Sequence, residues 1–145
     1  MITANLNNLE LHETWTENDP TQRCRSTFPL VGALGTENSA AVYFELAPGD
    51  HLGRHTDSAE EVLLILQGTV QVSVGDEKGR VSQGGTAVVP TMVPHDIHNA
   101  GDETAKVLGF FGSPNIVATF DEVWLPDNTR VIDTAAMFAQ MAASA

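Results

Sequence analysis

The 145-residue chain carries 19 acidic residues against 7 basic ones, a formal net charge of −12, and one cysteine, Cys24. That length suits one domain with a core large enough to fold without disulfides, and a lone thiol forms no intrachain bridge. The charge balance excludes a phosphate-binding nucleic-acid surface and disfavours an anionic membrane. No apolar run nears the roughly 20 residues of a bilayer span, and the first residues lack a signal-peptide pattern, so a cytoplasmic protein is expected.

Residues 1–26 are polar and without clear period, apart from Trp15. They are expected to form an arm that adds at most an edge strand. Beyond them, short β-rich runs alternate with Gly, Pro, Asp and Asn, the texture of an all-β sandwich or barrel. Residues 39–46 place Val42, Phe44 and Leu46 on one face, and Pro48-Gly49-Asp50 then turns the chain. Strands follow over Glu61–Gln67 and Thr69–Val74, broken by Gly68, and over Thr86–Val89, stopped by Pro90. His95–Asn99, Ala105–Phe111 and residues 115–120 bring the expected total to about eight. The barrel is expected to span 27–128, with a helical tail over 129–145. There Asp133 or Thr134 caps a helix over 135–142 whose Met137, Phe138 and Met141 form an apolar stripe.

Four of the five histidines fall in two short segments, PGDHLGRHTDSAEEVLLILQG and GGTAVVPTMVPHDIHN. Imidazole beside carboxylate in a β-rich context suits a divalent first-row metal. Side chains two apart on a strand share a face, so His55, Asp57 and Glu61 have the parity to point inward together, with His95 reaching them from another strand. His51 shares that parity and is the candidate proton carrier beside Glu61. His98 is expected to face away from His95. His12 has no expected role.

The two segments resemble the paired motifs of the cupin superfamily. In the first, Gly49 precedes His55 by five intervening residues, Asp57 and Glu61 follow, and Gly68 comes after six more. In the second, Gly84, Pro90, His95 and Asn99 stand at the motif spacings, and 15 residues separate the two segments. The resemblance implies an all-β double-stranded β-helix, a jelly-roll barrel, here with the short C-terminal helix read above. It also implies one divalent metal ion held by His55, Glu61 and His95, with Asp57 as the candidate fourth ligand.

Two positions depart from the pattern. Met92 replaces a turn glycine, and Asp57 stands where most metal cupins carry a second histidine. Asp57 has three readings: a ligand, a residue orienting a ligand histidine, or the mark of a site that has lost its metal. Two histidines and a carboxylate are the ligand types of non-haem iron oxygenases. Iron(II) or manganese(II) is therefore favoured, with nickel(II) or zinc(II) as alternatives.

The leading expectation is a non-haem dioxygenase acting on a small aromatic or carbonyl substrate. Phe44, Leu64, Phe110 and Phe111 are expected to wall its pocket. Redox-neutral metal chemistry (a lyase, isomerase or cyclase) and a non-catalytic small-molecule-binding module are the alternatives. A homodimer is expected through the arm and the terminal helix. Trp124, in FDEVWLPDNTR, is read as a lid or interface residue.

Overall fold

The structure, a computed structural model, describes residues 1–144. Twelve strands precede one helix: β1 (His12–Thr16), β2 (Arg23–Leu30), β3 (Ala40–Leu46), β4 (His55–Asp57), β5 (Glu61–Gln67) and β6 (Thr69–Val74), then β7 (Glu77–Ser82), β8 (Thr86–Val89), β9 (His95–Asn99), β10 (Ala105–Phe111), β11 (Val117–Leu125), β12 (Thr129–Asp133) and α1 (Thr134–Ser144). All the strand pairs are antiparallel. The order β7-β6-β9-β4-β11-β1-β2-β3-β10-β5-β8, with β12 on β11, rolls into a nearly closed barrel, the jelly roll that the motifs implied.

Alternation places the core. In β5, Glu61, Leu63 and Ile65 are buried while Val62 is exposed; in β9, His95, Ile97 and Asn99 are buried while His98 is exposed. Leu46, Leu63, Ile65, Val70, Ile97 and Val107 form an aliphatic centre. Each such side chain contributes about 1.5–3 kcal/mol on leaving water. The motif residue Asn99 spends all its amide groups on turns. Its Nδ2 donates to the carbonyls of Leu46 (2.9 Å) and Glu103 (2.8 Å), and its Oδ1 accepts from the Gly101 amide.

The N-terminal arm corrects one expectation. Its strand β1 is not an edge: it lies between β11 and β2 and completes the wall of its own barrel. The tail likewise begins with a strand, β12, before α1. Asp133 caps α1, its Oδ1 accepting the Ala136 amide at 3.1 Å. Among the described residues, no helix is long and apolar enough to cross a membrane.

Met92 explains its own departure from the motif. The Pro90–Val93 turn closes through the Val93 amide and the Pro90 carbonyl (3.2 Å), and its third residue, Met92, sits at φ +63°. A turn of this kind favours glycine there. A left-handed L-residue costs roughly 1–2 kcal/mol, partly offset by the roughly 0.5–1 kcal/mol of chain entropy that glycine would lose. Met92 is 58% exposed, so its side chain adds little packing. Met92→Gly is therefore expected to stabilise the fold by about 0.5–1 kcal/mol in urea unfolding. A loss of stability would show that the methionine side chain matters.

Candidate metal centre

His55 and Asp57 occupy the two inward positions of the three-residue strand β4. Strand β9 pairs with β4 at a single register, His55 opposite His95, which brings the two rings to 4.0 Å between centroids. Glu61 opens β5, on the inward face of the next strand in the chain. The register thus gathers all four residues that the motifs single out, and all four are buried.

Both histidines are held by backbone. His55 Nδ1 lies 2.7 Å from the Gly53 carbonyl and His95 Nδ1 lies 3.0 Å from the Val93 carbonyl. A ring nitrogen facing a carbonyl carries a proton, which leaves each Nε2 as the atom aimed at the cluster. There, His95 Nε2 is 3.0 Å from Asp57 Oδ2 and 3.6 Å from Glu61 Oε1, and His55 Nε2 is 3.8 Å from Asp57 Oδ2.

Despite that proximity, Asp57 Oδ2 and His95 Nε2 have no hydrogen-bond partner and no solvent contact. Buried polar atoms without a well-aligned hydrogen bond remain costly even where opposite charges face each other. A cation between them removes that cost, so the donor set fits a divalent ion. His55, Asp57 and His95 offer ligand atoms within 4.8 Å of one another, a group that can bind a metal ion.

The charges in the cluster respond to burial. Burial pushes His55 down to about 4, helped by the charge of His95, so its imidazole is neutral at physiological pH. Burial likewise raises Glu61 from the ordinary 4.5 to about 7, with Asp57 adding repulsion and His95 opposing it. For His95, burial works against the charged form, but Asp57 and Glu61 beside Nε2 outweigh it and its pKa rises. The metal-free cluster therefore stores protons that a cation must displace.

The sign follows for stability. A carboxyl whose folded pKa is raised favours the fold below its unfolded pKa and loses that contribution as pH climbs through about 7. Metal-free protein is expected to lose melting temperature from pH 5.5 to pH 8. The gain in melting temperature on adding metal is expected to grow over the same window. A gain independent of pH would count against proton displacement by Glu61.

The cluster opens on a cavity of about 410 Å³. Phe44 and Phe111 line it as expected, whereas Leu64 and Phe110 do not. Glu61 starts β5 inward, so Leu63 and not Leu64 follows on that face. Of two adjacent phenylalanines on β10 only one can point in, and Phe110 is 42% exposed. Trp124 is neither an exposed lid nor an interface: only 2% of it is exposed, it lines the cavity, and it packs edge-on against Phe120, which stacks on the His55 ring. Met137, Phe138 and Met141 of α1 close the cavity from the C-terminal side.

His51 is the main correction to the site. It is absent from the cavity wall and lies on the outside of the barrel, between Asp96 and Asp19. Parity with His55 fails because residues 52–54 are not a strand and Gly53 turns left-handed at φ +95°. The Asp96 hydrogen bond, joined by Asp19 and opposed by burial, raises His51 to about 9. It is no proton carrier for the cavity.

Sequence reasoning missed the β1–β2 residues that line the cavity, His12, Thr14, Cys24, Ser26, Thr27 and Phe28. For the first four the only signal is alternation within the polar arm. The Cys24 thiol, pushed by burial up to about 11, is inert.

Comparison with known proteins follows the same outline. Residues 42–111 match the family model described as the cupin domain. An uncharacterized protein of Methanocaldococcus jannaschii is 35% identical over 51 residues, 35% of this chain and 41% of that relative, so the match spans less than half of the relative's length. An oxalate oxidase in complex with the substrate analogue glycolate superposes at TM-score 0.60 with 24% identity, over 68% of this chain and 56% of that one. A protein of Acidithiobacillus ferrooxidans named as a sugar phosphate isomerase superposes at TM-score 0.62 with 16% identity, over 90% and 88% of the two chains. At such identities the solved structures speak for the fold alone. With both motifs, the matched segment and the barrel in agreement, the chain belongs to the cupin superfamily.

Proposed function

We propose that the chain is a metal-dependent enzyme for a small, largely apolar molecule, and that dioxygenase chemistry on an aromatic or carbonyl substrate is its reaction. The observation that carries this reading is the buried two-histidine, carboxylate cluster with unpaired ligand atoms, opening on an aromatic-walled cavity. A divalent ion there supplies a Lewis acid and, as iron(II), a redox centre. The protein's share is distinct. His55, His95 and Asp57 hold the ion, with Glu61 beside them. Phe44, Phe111, Phe120 and Trp124 exclude water and flank a flat substrate.

A second reading, redox-neutral proton transfer by a lyase or isomerase, is favoured by Glu61. Its carboxylate borders the cavity and stands outside the His55, Asp57 and His95 group, which leaves it placed to take and return a proton. Under either reading the ion itself would be the main positive charge offered to an anionic substrate such as a sugar phosphate. No Lys or Arg is among the cavity's described lining residues to neutralise such an anion.

Self-association belongs to the proposal as well, through a different surface from the arm. Val88, Val62 and Phe110 stand in register across β8, β5 and β10 and are all exposed, an apolar row suited to a second copy of the chain. A strictly monomeric mass by size-exclusion chromatography would end that part.

The experiment is metal content by plasma mass spectrometry on wild type, His95→Ala and Asp57→Ala, followed by oxygen uptake with a panel of aromatic and diketone compounds. Iron or manganese lost in both variants, with oxygen consumed, supports the dioxygenase. Turnover unchanged without oxygen supports the redox-neutral reading. No metal after reconstitution sinks both and leaves a binding module.

A further inference from the structure

The alternation that turns His95 inward turns Asp96 and His98 outward, and on that outer face they meet His51. Asp96 Oδ2 lies 2.8 Å from His51 Nδ1 and 2.9 Å from His98 Nε2, and the two rings stack with centroids 4.4 Å apart. The carboxylate is fixed before anything binds: its other oxygen, Oδ1, accepts the backbone amides of Gly53 and Ile97, each at 2.7 Å. His51 is fixed too. Its Nε2 faces Asp19 Oδ2 at 2.8 Å, while Asp19 Oδ1 accepts both the amide (2.9 Å) and the hydroxyl (2.7 Å) of Thr21.

We infer that His51, Asp96 and His98 form a second divalent-metal site on the outside of the barrel, taking a zinc-class ion with water completing its coordination. The three ligand atoms lie within 4.8 Å of one another. Around a tetrahedral zinc ion with bonds of about 2.0–2.1 Å, neighbouring ligand atoms stand about 3.3 Å apart. The Asp96–histidine separations need to widen by only a few tenths of an ångström, with the ion replacing the protons now shared there.

Two imidazoles and one carboxylate are a zinc-type donor set, and a carboxylate behind a ligand histidine, as Asp19 stands behind His51, raises its basicity and fixes its ring. The His98 side chain is 47% exposed, which leaves the site an entrance from solvent. The negative charge of the chain favours cation approach. An ion here ties the Asp19 turn between β1 and β2 to strand β9. It also bears on the Gly53 peptide, whose amide is held by Asp96 and whose carbonyl holds His55.

The test counts zinc by calorimetry and plasma mass spectrometry on the full chain, in wild type, His98→Ala, His95→Ala and the double variant. The expected stoichiometries are two, one, one and none. His98 lies on the surface, so circular dichroism of His98→Ala should match wild type; if it does not, His98→Asn makes the same substitution with less loss of volume. Zinc binding unchanged in both His98 variants overturns the inference. One zinc per wild-type chain, lost with His98→Ala and kept with His95→Ala, upholds the outer site and removes the inner one.

Discussion

Replacing His95 with alanine is expected to abolish ion binding in the barrel, with affinity falling by more than the roughly 100-fold typical of losing a group that merely orients a ligand. His95 is the centre of the cluster, its Nε2 within 3.6 Å of both Asp57 and Glu61. Its loss also leaves those two carboxylates facing each other without a cation. Removing one partner of a buried ion pair costs about 3–5 kcal/mol. In metal-free protein that cost should appear at pH 8 and shrink at pH 5, where Glu61 regains its proton.

His55→Ala makes the contrast. It should also lose the ion, but with a smaller metal-free penalty at pH 8, because His55 is already neutral. Urea unfolding of both variants at the two pH values, in chelator, separates them. Equal penalties would show that His95 carries no charge in the empty site.

Gly109→Ala is expected to lower metal affinity by about 10–100-fold while the barrel still folds. Gly109 is an inward position of β10, and a methyl group there would occupy the place of the Glu61 carboxylate, with Val42 Cγ1 3.1 Å away on another side. Glu61 is itself buried, so its carboxylate can retreat only into the cavity it lines, away from the other three residues. Overpacking of this kind costs about 1–3 kcal/mol in stability, so a soluble, weaker-binding protein is the outcome to look for. Gly112→Ala, which meets nothing within 4 Å, is the control. Unchanged metal affinity in Gly109→Ala would remove Glu61 from the site.

The strands easiest to read in the sequence are those bounded by turns and, His95–Asn99 apart, rich in apolar residues. Glu61–Gln67, Thr69–Val74, Thr86–Val89, His95–Asn99 and Ala105–Phe111 begin and end in the structure at the residues their alternation and flanking turns indicate. The four clustered residues were legible because motif spacing and strand parity agree on them. β4 was not, having only three residues, nor was β7, which is solvent-exposed along almost its whole length and so shows no apolar period. β1 and β2 escaped for a third reason: their inward side chains, Thr14, Cys24 and Ser26 among them, face a cavity and need not be strongly apolar. His51 misled because parity is a property of unbroken strand, and Gly53 breaks it.

The position of β1 in the sheet separates two tasks along the chain. His55, Asp57, Glu61 and His95 all fall inside the segment 42–111 that matches the family. The rest of the cavity wall comes largely from β1, β2, β11 and α1, from residues near the two ends of the chain that meet only when β1 pairs with β11. The middle of the chain would therefore react and its ends would select. Drift in the terminal segments would retune what enters while leaving the cluster unchanged, so two barrels with the same four residues need not share a substrate.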